Sequence, residues 1–401
     1  MTVRRNVLLV VGLLVSIFFT YGSLSQAADV RGVTEKSIRI GFIIDLTGPA
    51  AGSVADVING FRTHVRYINE QGGIHGRKLQ IIAEDDRFSI PYAISAFKKL
   101  VCRDRVFALA GLTSTGLLKP LMSKMEKEKL PTLSMVSPEI AVNPHKKYIF
   151  IAWDTYEGQA RMLTDYVIKE YKLKDPRIGI VMPDNETGKT DLRAVLLRLK
   201  EYNIEPVTKE ILMAGAMEAS TQVMSLRKNG VNCIMHIGTL PQAAVLLLRE
   251  LKKFGLKKPV FNSYAAMIDE SLNEIGDAAN QAYIIHCFSP WYGEGPGVEG
   301  MRNVTLKYYP GTERPYRGTS FAGGWAIASV LDEGLKRPGR NLDEDALIEA
   351  LESFKNYDTG GLIPPVSYSS TSHKGGDSWK IYKADPVDGK YIAVTGWRKS
   401  D

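Results

Sequence analysis

The sequence predicts an α/β protein of two doubly wound domains, each a mostly parallel sheet flanked by helices. Short β-branched runs alternate with amphipathic helical stretches from residue 38 onward, the pattern of βαβ units rather than of hairpins. The alternation restarts after Trp153. A chain of 401 residues, 44% hydrophobic and 24% charged, carries enough apolar material for two cores of ordinary size.

The first strand spans 38–44. The helix after it, over 54–70, sets Val54, Val57, Ile58, Phe61, Val65 and Ile68 along one face, and Gly72-Gly73 stops it. Strand 79–83, a helix over 91–102 opened by Pro91, strand 106–110 and a helix opening near Gly116 complete a β-α-β-α-β-α run. Beyond Trp153 come helix 156–171, strand 177–182, helices 189–201 and 216–228, strand 231–237 and helix 241–254. The C-terminal third is less regular. It holds strand 282–287, then helix 319–336, whose small residues Ala322, Gly323, Gly324 and Ala326 mark it for burial, and helix 343–354. A hairpin of 378–384 and 391–397 turns around Asp385-Pro386-Val387-Asp388-Gly389.

Arg4 and Arg5 precede an apolar run over 7–19 that is short for a membrane span, and Ser25-Gln26-Ala27 supplies small residues at a cleavage position. Residues 1–27 therefore read as a signal peptide cut after Ala27. The same two arginines account for part of the formal charge of +7, leaving a mild surplus spread among acids along the helices. Such a distribution disfavours nucleic-acid binding. The six histidines form no metal-ligand spacing, no G-x-S-x-G elbow occurs, and Glu84-Asp85-Asp86 cannot all point one way from a strand end. No metal, cofactor or catalytic site is expected. Cys102, Cys233 and Cys287 form no C-x-x-C pair; the last two lie in apolar strand-like runs, where a free buried thiol is the commoner reading, though one disulfide is left open.

Several segments occur in a telling order: Ile40-Gly41 through Leu46-Thr47-Gly48-Pro49, then Ile68-Asn69-Glu70-Gln71-Gly72-Gly73-Ile74-His75-Gly76-Arg77-Lys78-Leu79, Asp85-Asp86, Lys99-Leu100-Val101, Gly111 with Thr113-Ser114-Thr115, and Gly276-Asp277-Ala278-Ala279. With these the chain resembles the leucine/isoleucine/valine-binding family of periplasmic proteins, the type I solute-binding fold. That resemblance implies two Rossmann-like lobes joined by a three-crossover hinge, with lobe one over 37–153 plus 287–358 and lobe two over 154–286 plus 359–401. It further implies a monomeric periplasmic protein that closes on a small-molecule ligand and delivers it to an ABC permease in the inner membrane. The alternative is a ligand-sensing protein of the same fold acting in signalling or chemotaxis.

In open parallel sheets a ligand lies beyond the carboxyl ends of the strands, where helix N-termini present free N–H groups. Gly111-Leu112-Thr113-Ser114-Thr115-Gly116 follows a strand and opens a helix, so Thr113, Ser114 and Thr115 suit a carboxylate. Simple N-capping by Ser114 or Thr115 is the other reading. Ser137, before Pro138, is either a ligand contact or the start of a turn. Asp154, which the resemblance aligns with a family aspartate, also heads a capping-box spacing with Glu157. Ser53, just after the first strand, is a further candidate contact.

The departures from the family pattern bear on the ligand. Thr187, before Gly188, stands where amino-acid-binding members carry a tyrosine; Leu240 replaces a second tyrosine; Tyr264 falls where a glutamate neutralises the ligand ammonium. A buried ammonium without an anion costs several kcal/mol. The expected ligand is therefore a small carboxylate, aromatic in preference to leucine-like, against walls drawn from Trp153, Tyr156, Tyr264 and Trp291.

Overall fold

Apolar residues at every position of a strand require cover on both faces, and the first sheet meets that requirement. The computed structural model describes residues 30–266, 269–310 and 318–399; the segment 1–27, read as a signal peptide, lies outside them. Strands β1 (Ser37–Ile44), β2 (Lys78–Asp85), β3 (Ala108–Gly111), β4 (Thr132–Ser134) and β5 (Ile149–Ile151) form an all-parallel sheet in the order β2-β1-β3-β4-β5. Along β1, Ile38, Ile40, Phe42 and Ile44 pack toward Val54, Ile58 and Phe61 of helix α1 (Ala51–Glu70). Ile43 points the other way, into a cluster with Phe97 of α2 (Ile90–Lys98) and Leu118 and Leu121 of α3 (Thr115–Lys127). This is the period-two alternation of a strand, with both faces dry.

The second sheet follows helix α4 (Tyr156–Asp165). Its strands are β6 (Ile178–Met182), β7 (Thr208–Ile211), β8 (Cys233–His236), β9 (Val260–Asn262) and β10 (Ala282–His286), all mutually parallel. Helices α5 (Glu186–Glu201), α6 (Ser220–Lys228) and α7 (Pro241–Lys253) connect them. The chain then returns to the first lobe as α8 (Pro296–Tyr308), α9 (Thr319–Lys336) and α10 (Glu344–Glu352), and ends with β11 (Ser378–Asp385), β12 (Lys390–Ala393) and β13 (Arg398–Lys399). The sheet order is β12-β11-β10-β9-β8-β6-β7, with β11 antiparallel to β10 and β12, and β13 paired to β11. The expected hairpin is present.

Helix α9 is buried along almost its whole length, as its small residues predict. It lies against α1 so closely that a Cβ on Gly324 would fall 1.9 Å from the carbonyl oxygen of Val57, and one on Gly60 2.0 Å from that of Phe321. Two glycines, one on each helix, thus set the distance between the axes.

The chain passes between lobes three times, after β5, after β10 and before β11. The third passage comes later than residue 359, where the sequence reading sets it. Leu362 accepts a hydrogen bond from the Ser289 N–H, His373 stacks on Phe150 with centroids 3.6 Å apart, and Lys374 bridges Ile151. Residues 373–375 therefore run along the free edge of the first sheet, beyond β5. All three cysteines are free, Cys102 exposed and Cys233 and Cys287 buried. Among the described residues no helix is long and apolar enough to cross a membrane.

Candidate functional site

The carboxyl ends of both parallel sheets converge on one cavity of about 90 Å³. From the first lobe come Val54 and Val57 of α1, Phe88 after β2, Thr113 and Ser114 after β3, Met135 after β4, Trp153 after β5, and Ser320 and Gly323 of α9. The second lobe supplies Tyr156, Asn185 and Thr187 beyond β6, Gly238, Thr239 and Leu240 beyond β8, Tyr264 and Ala265 beyond β9, and His286 and Phe288 at the end of β10. The lobes also touch at the rim, where Lys119 of α3 meets Glu186 of α5 at 3.0 Å. This is a closed arrangement.

Of the sequence candidates, Thr113, Ser114, Thr187, Leu240 and Tyr264 line the cavity. Ser53 falls in the first turn of α1, but its side chain lies outside the described ones. Thr115 and Ser137 are buried beside the lining with hydroxyl oxygens that have no hydrogen-bond partner. Asp154 stands behind it: its Oδ1 accepts from the Thr155 N–H at 2.7 Å and from Lys374 Nζ at 3.1 Å, and its Oδ2 accepts from Trp379 Nε1 at 3.1 Å. The N-cap of α4 is Thr155, whose hydroxyl accepts from the Gly158 N–H, so Asp154 holds a hinge crossing rather than capping the helix. Trp291 is also away from the cavity, packed edge-on against Phe321 at 5.9 Å.

The first loop separates two roles that its sequence runs together. Thr113 Oγ1 accepts from the Asp45 N–H at 2.8 Å and donates to Asp86 Oδ2 at 2.6 Å, so its proton is already committed. Ser114 is the N-cap residue of α3, yet its side chain makes no capping hydrogen bond. The first N–H groups of α3 and the Ser114 hydroxyl are left for an anion, in the direction that the helix dipole favours. Leu240 likewise begins α7 without a side-chain cap. Beyond β6, Asn185 Oδ1 caps the Gly188 N–H at 2.9 Å. Gly238, at φ +60, lies where an added Cβ would fall 2.6 Å from the Gly188 Cα; only glycine lets these two loops touch.

The remaining wall is aromatic. Trp153 and Phe288 meet edge-on at 4.5 Å, His286 and Phe288 at 4.6 Å, and Tyr156 stacks on Tyr264 at 5.6 Å with their hydroxyls 3.0 Å apart. No described lining residue is acidic. Asp191, a buried carboxyl on α5, accepts from the Gly238 N–H at 2.9 Å. Burial, reinforced by Glu157, pushes its pKa well above the usual carboxylate range.

Burial also pushes the Asp86 carboxyl up to about 6, against the downward pull of its hydrogen bonds from Thr113 and the Phe88 N–H; Asp45 and Asp85 add to the rise. The folded state thus holds this proton more tightly than the unfolded chain, whose value is 3.8. Its contribution to stability is full below about pH 4 and is lost as pH rises through 6. Asp86→Asn is expected to remove that decline, seen as a flattening of the urea midpoint between pH 4 and 6.

Sequence reasoning missed Phe88, Met135, Asn185, His286, Phe288 and the α9 residues. His286 ends β10 and Phe288 follows it, a strand that was identified, so the strand-end rule alone leads to them. Ser320 and Gly323 reach the cavity only through the late return of the chain.

A family model described as periplasmic binding protein matches residues 37–390. Among curated proteins, the Leu/Ile/Val-binding protein homolog 3 of Brucella melitensis is 24% identical over 359 residues, 89% of this chain and 93% of that protein. Among solved structures, a branched chain amino acid ABC transporter protein from Thermus thermophilus with bound valine superposes with a TM-score of 0.84 at 16% identity, covering 92% of this chain and 98% of that one. The fatty acid ABC transporter substrate-binding protein of Thermomonospora curvata gives 0.83 at 21% identity, covering 94% and 96%.

Proposed function

The chain belongs to the periplasmic binding protein family, and on that premise we propose that it is the solute-binding component of an ABC importer whose ligand is a small carboxylate, aromatic in preference to a branched-chain amino acid. It works in the periplasm as a monomer, performs no catalysis, and hands its ligand to an inner-membrane permease. The observation that carries the ligand class is a lining with uncapped helix N-termini and aromatic rings at which no described residue is acidic. A carboxylate at Ser114 gains the N–H groups of α3, whereas an ammonium in the same space would be desolvated with no anion beside it. Ligand that touches both lobes stabilises the closed form by its differential contacts, and hinge bending admits and releases it.

The relatives frame the choice without making it, since one solved neighbour holds valine and another is a fatty acid transporter protein. Titration calorimetry of the mature chain with benzoate, butyrate and leucine distinguishes the classes. We expect saturable one-to-one binding of benzoate, with Ser114→Ala weakening it by about tenfold, as for loss of a hydrogen bond to a charged group. Binding of leucine with no response to either carboxylate would overturn the assignment.

A further inference from the structure

The two ends of the cleft differ in chemistry. At the outer end stand Ser114 and the α3 N-terminus. Toward the hinge, the lining comes from the ends of β5 and β10, where Trp153, His286 and Phe288 pack ring against ring. β3 and β5 are separated by β4, so their ends lie about 10 Å apart at two strand spacings.

His286 is 2% exposed, and its Nδ1 accepts a hydrogen bond from the Phe288 N–H at 3.1 Å. A ring nitrogen that accepts an N–H carries no proton, so the neutral ring has its proton on Nε2. The ring is neutral because burial lowers its pKa to about 3. Trp153 is fully buried and its Nε1 has no hydrogen-bond partner among the described residues, while the His286 ring, which lines the cavity, is hydrogen-bonded at Nδ1. Trp153 Nε1 and His286 Nε2 are both donors. An unpartnered donor in a dry wall, as at Trp153 Nε1, is costly, and a ligand oxygen relieves that cost.

We propose that the hinge end of the cleft is a second polar subsite, where the Nε2–H of His286 and the Nε1–H of Trp153 receive an uncharged oxygen on the far end of the bound carboxylate. This rests on the carboxylate reading and narrows it to acids that carry a hydroxyl, ether or carbonyl oxygen across the molecule from the carboxyl group. Phe288 and Tyr264 hold the ring of such an acid between the two polar ends.

Two isosteric probes test it: 4-methoxybenzoate, with an ether oxygen, and 4-ethylbenzoate, with a methylene in its place. Calorimetry on the mature protein is expected to give about tenfold tighter binding of the methoxy acid, the discrimination of a site whose buried donors need an acceptor. In His286→Phe, which keeps a ring against Phe288, the two acids should bind within about twofold of each other. A merely structural role would weaken both acids equally and preserve the gap. Equal affinities in the unaltered protein would overturn the subsite while leaving the carboxylate assignment intact, and this comparison needs no variant. Failure of both acids to bind would sink the carboxylate assignment itself, and the subsite with it.

Discussion

Gly324→Ala is expected to lower the unfolding free energy by about 3 kcal/mol, the upper range for overpacking a well-filled core. The new methyl would stand 1.9 Å from the Val57 carbonyl oxygen, which is backbone in the middle of α1 and cannot rotate away. The helices would have to move apart, and the reciprocal contact at Gly60, 2.0 Å from the Phe321 oxygen, would open with them. Because Val54 and Val57 on α1 and Gly323 on α9 also line the cavity, benzoate affinity should fall too. A urea titration followed by tryptophan fluorescence measures the first effect. A midpoint unchanged from the parent would show that the helix contact is softer than its geometry requires.

Asp154→Ala should be costlier still, at about 3–5 kcal/mol, the range for removing one partner of a buried charged pair. The carboxylate is fully buried and serves three donors at once: the Thr155 N–H, Lys374 and the indole of Trp379, itself fully buried. Thr155 lies in the first passage between the lobes, Lys374 before β11 and Trp379 within it, so the residue ties the first passage to the third. Asp154→Asn, which keeps one acceptor oxygen, is expected to lie between alanine and the parent in thermal melting. If alanine and asparagine melted together with the unaltered protein, the hinge would not depend on this group.

Much of the architecture was readable because parallel strands covered on both sides are long apolar runs. β1, β6 and α9 are identified within a few residues for that reason. The elements that escaped are short or weakly patterned: β5 and β9 have three residues each, and β7 is a half-exposed edge strand of four. The site was legible where a strand end meets a helix start, which led to Thr113 and Ser114, and where the family resemblance supplied positions, which led to Thr187, Leu240 and Tyr264; all five lie around one cavity. What escaped was the division of labour. The sequence of the first loop offers three hydroxyls as equals, and only the Asp86 and Asp45 contacts reveal that Thr113 props the loop while Ser114 faces the cavity. Asp154 could not be read either, since its partners Lys374 and Trp379 lie more than two hundred positions away.

The order in which the chain emerges gives the packing of α1 a further meaning. The five-stranded sheet and α1 are complete once β5 has been made, but α9, which covers the outer face of α1, arrives only after the whole parallel part of the second sheet. Until then the face of α1 that carries Val57 and Gly60 waits uncovered. The first lobe is therefore finished only when the final third of the chain has been made, after the second lobe has begun.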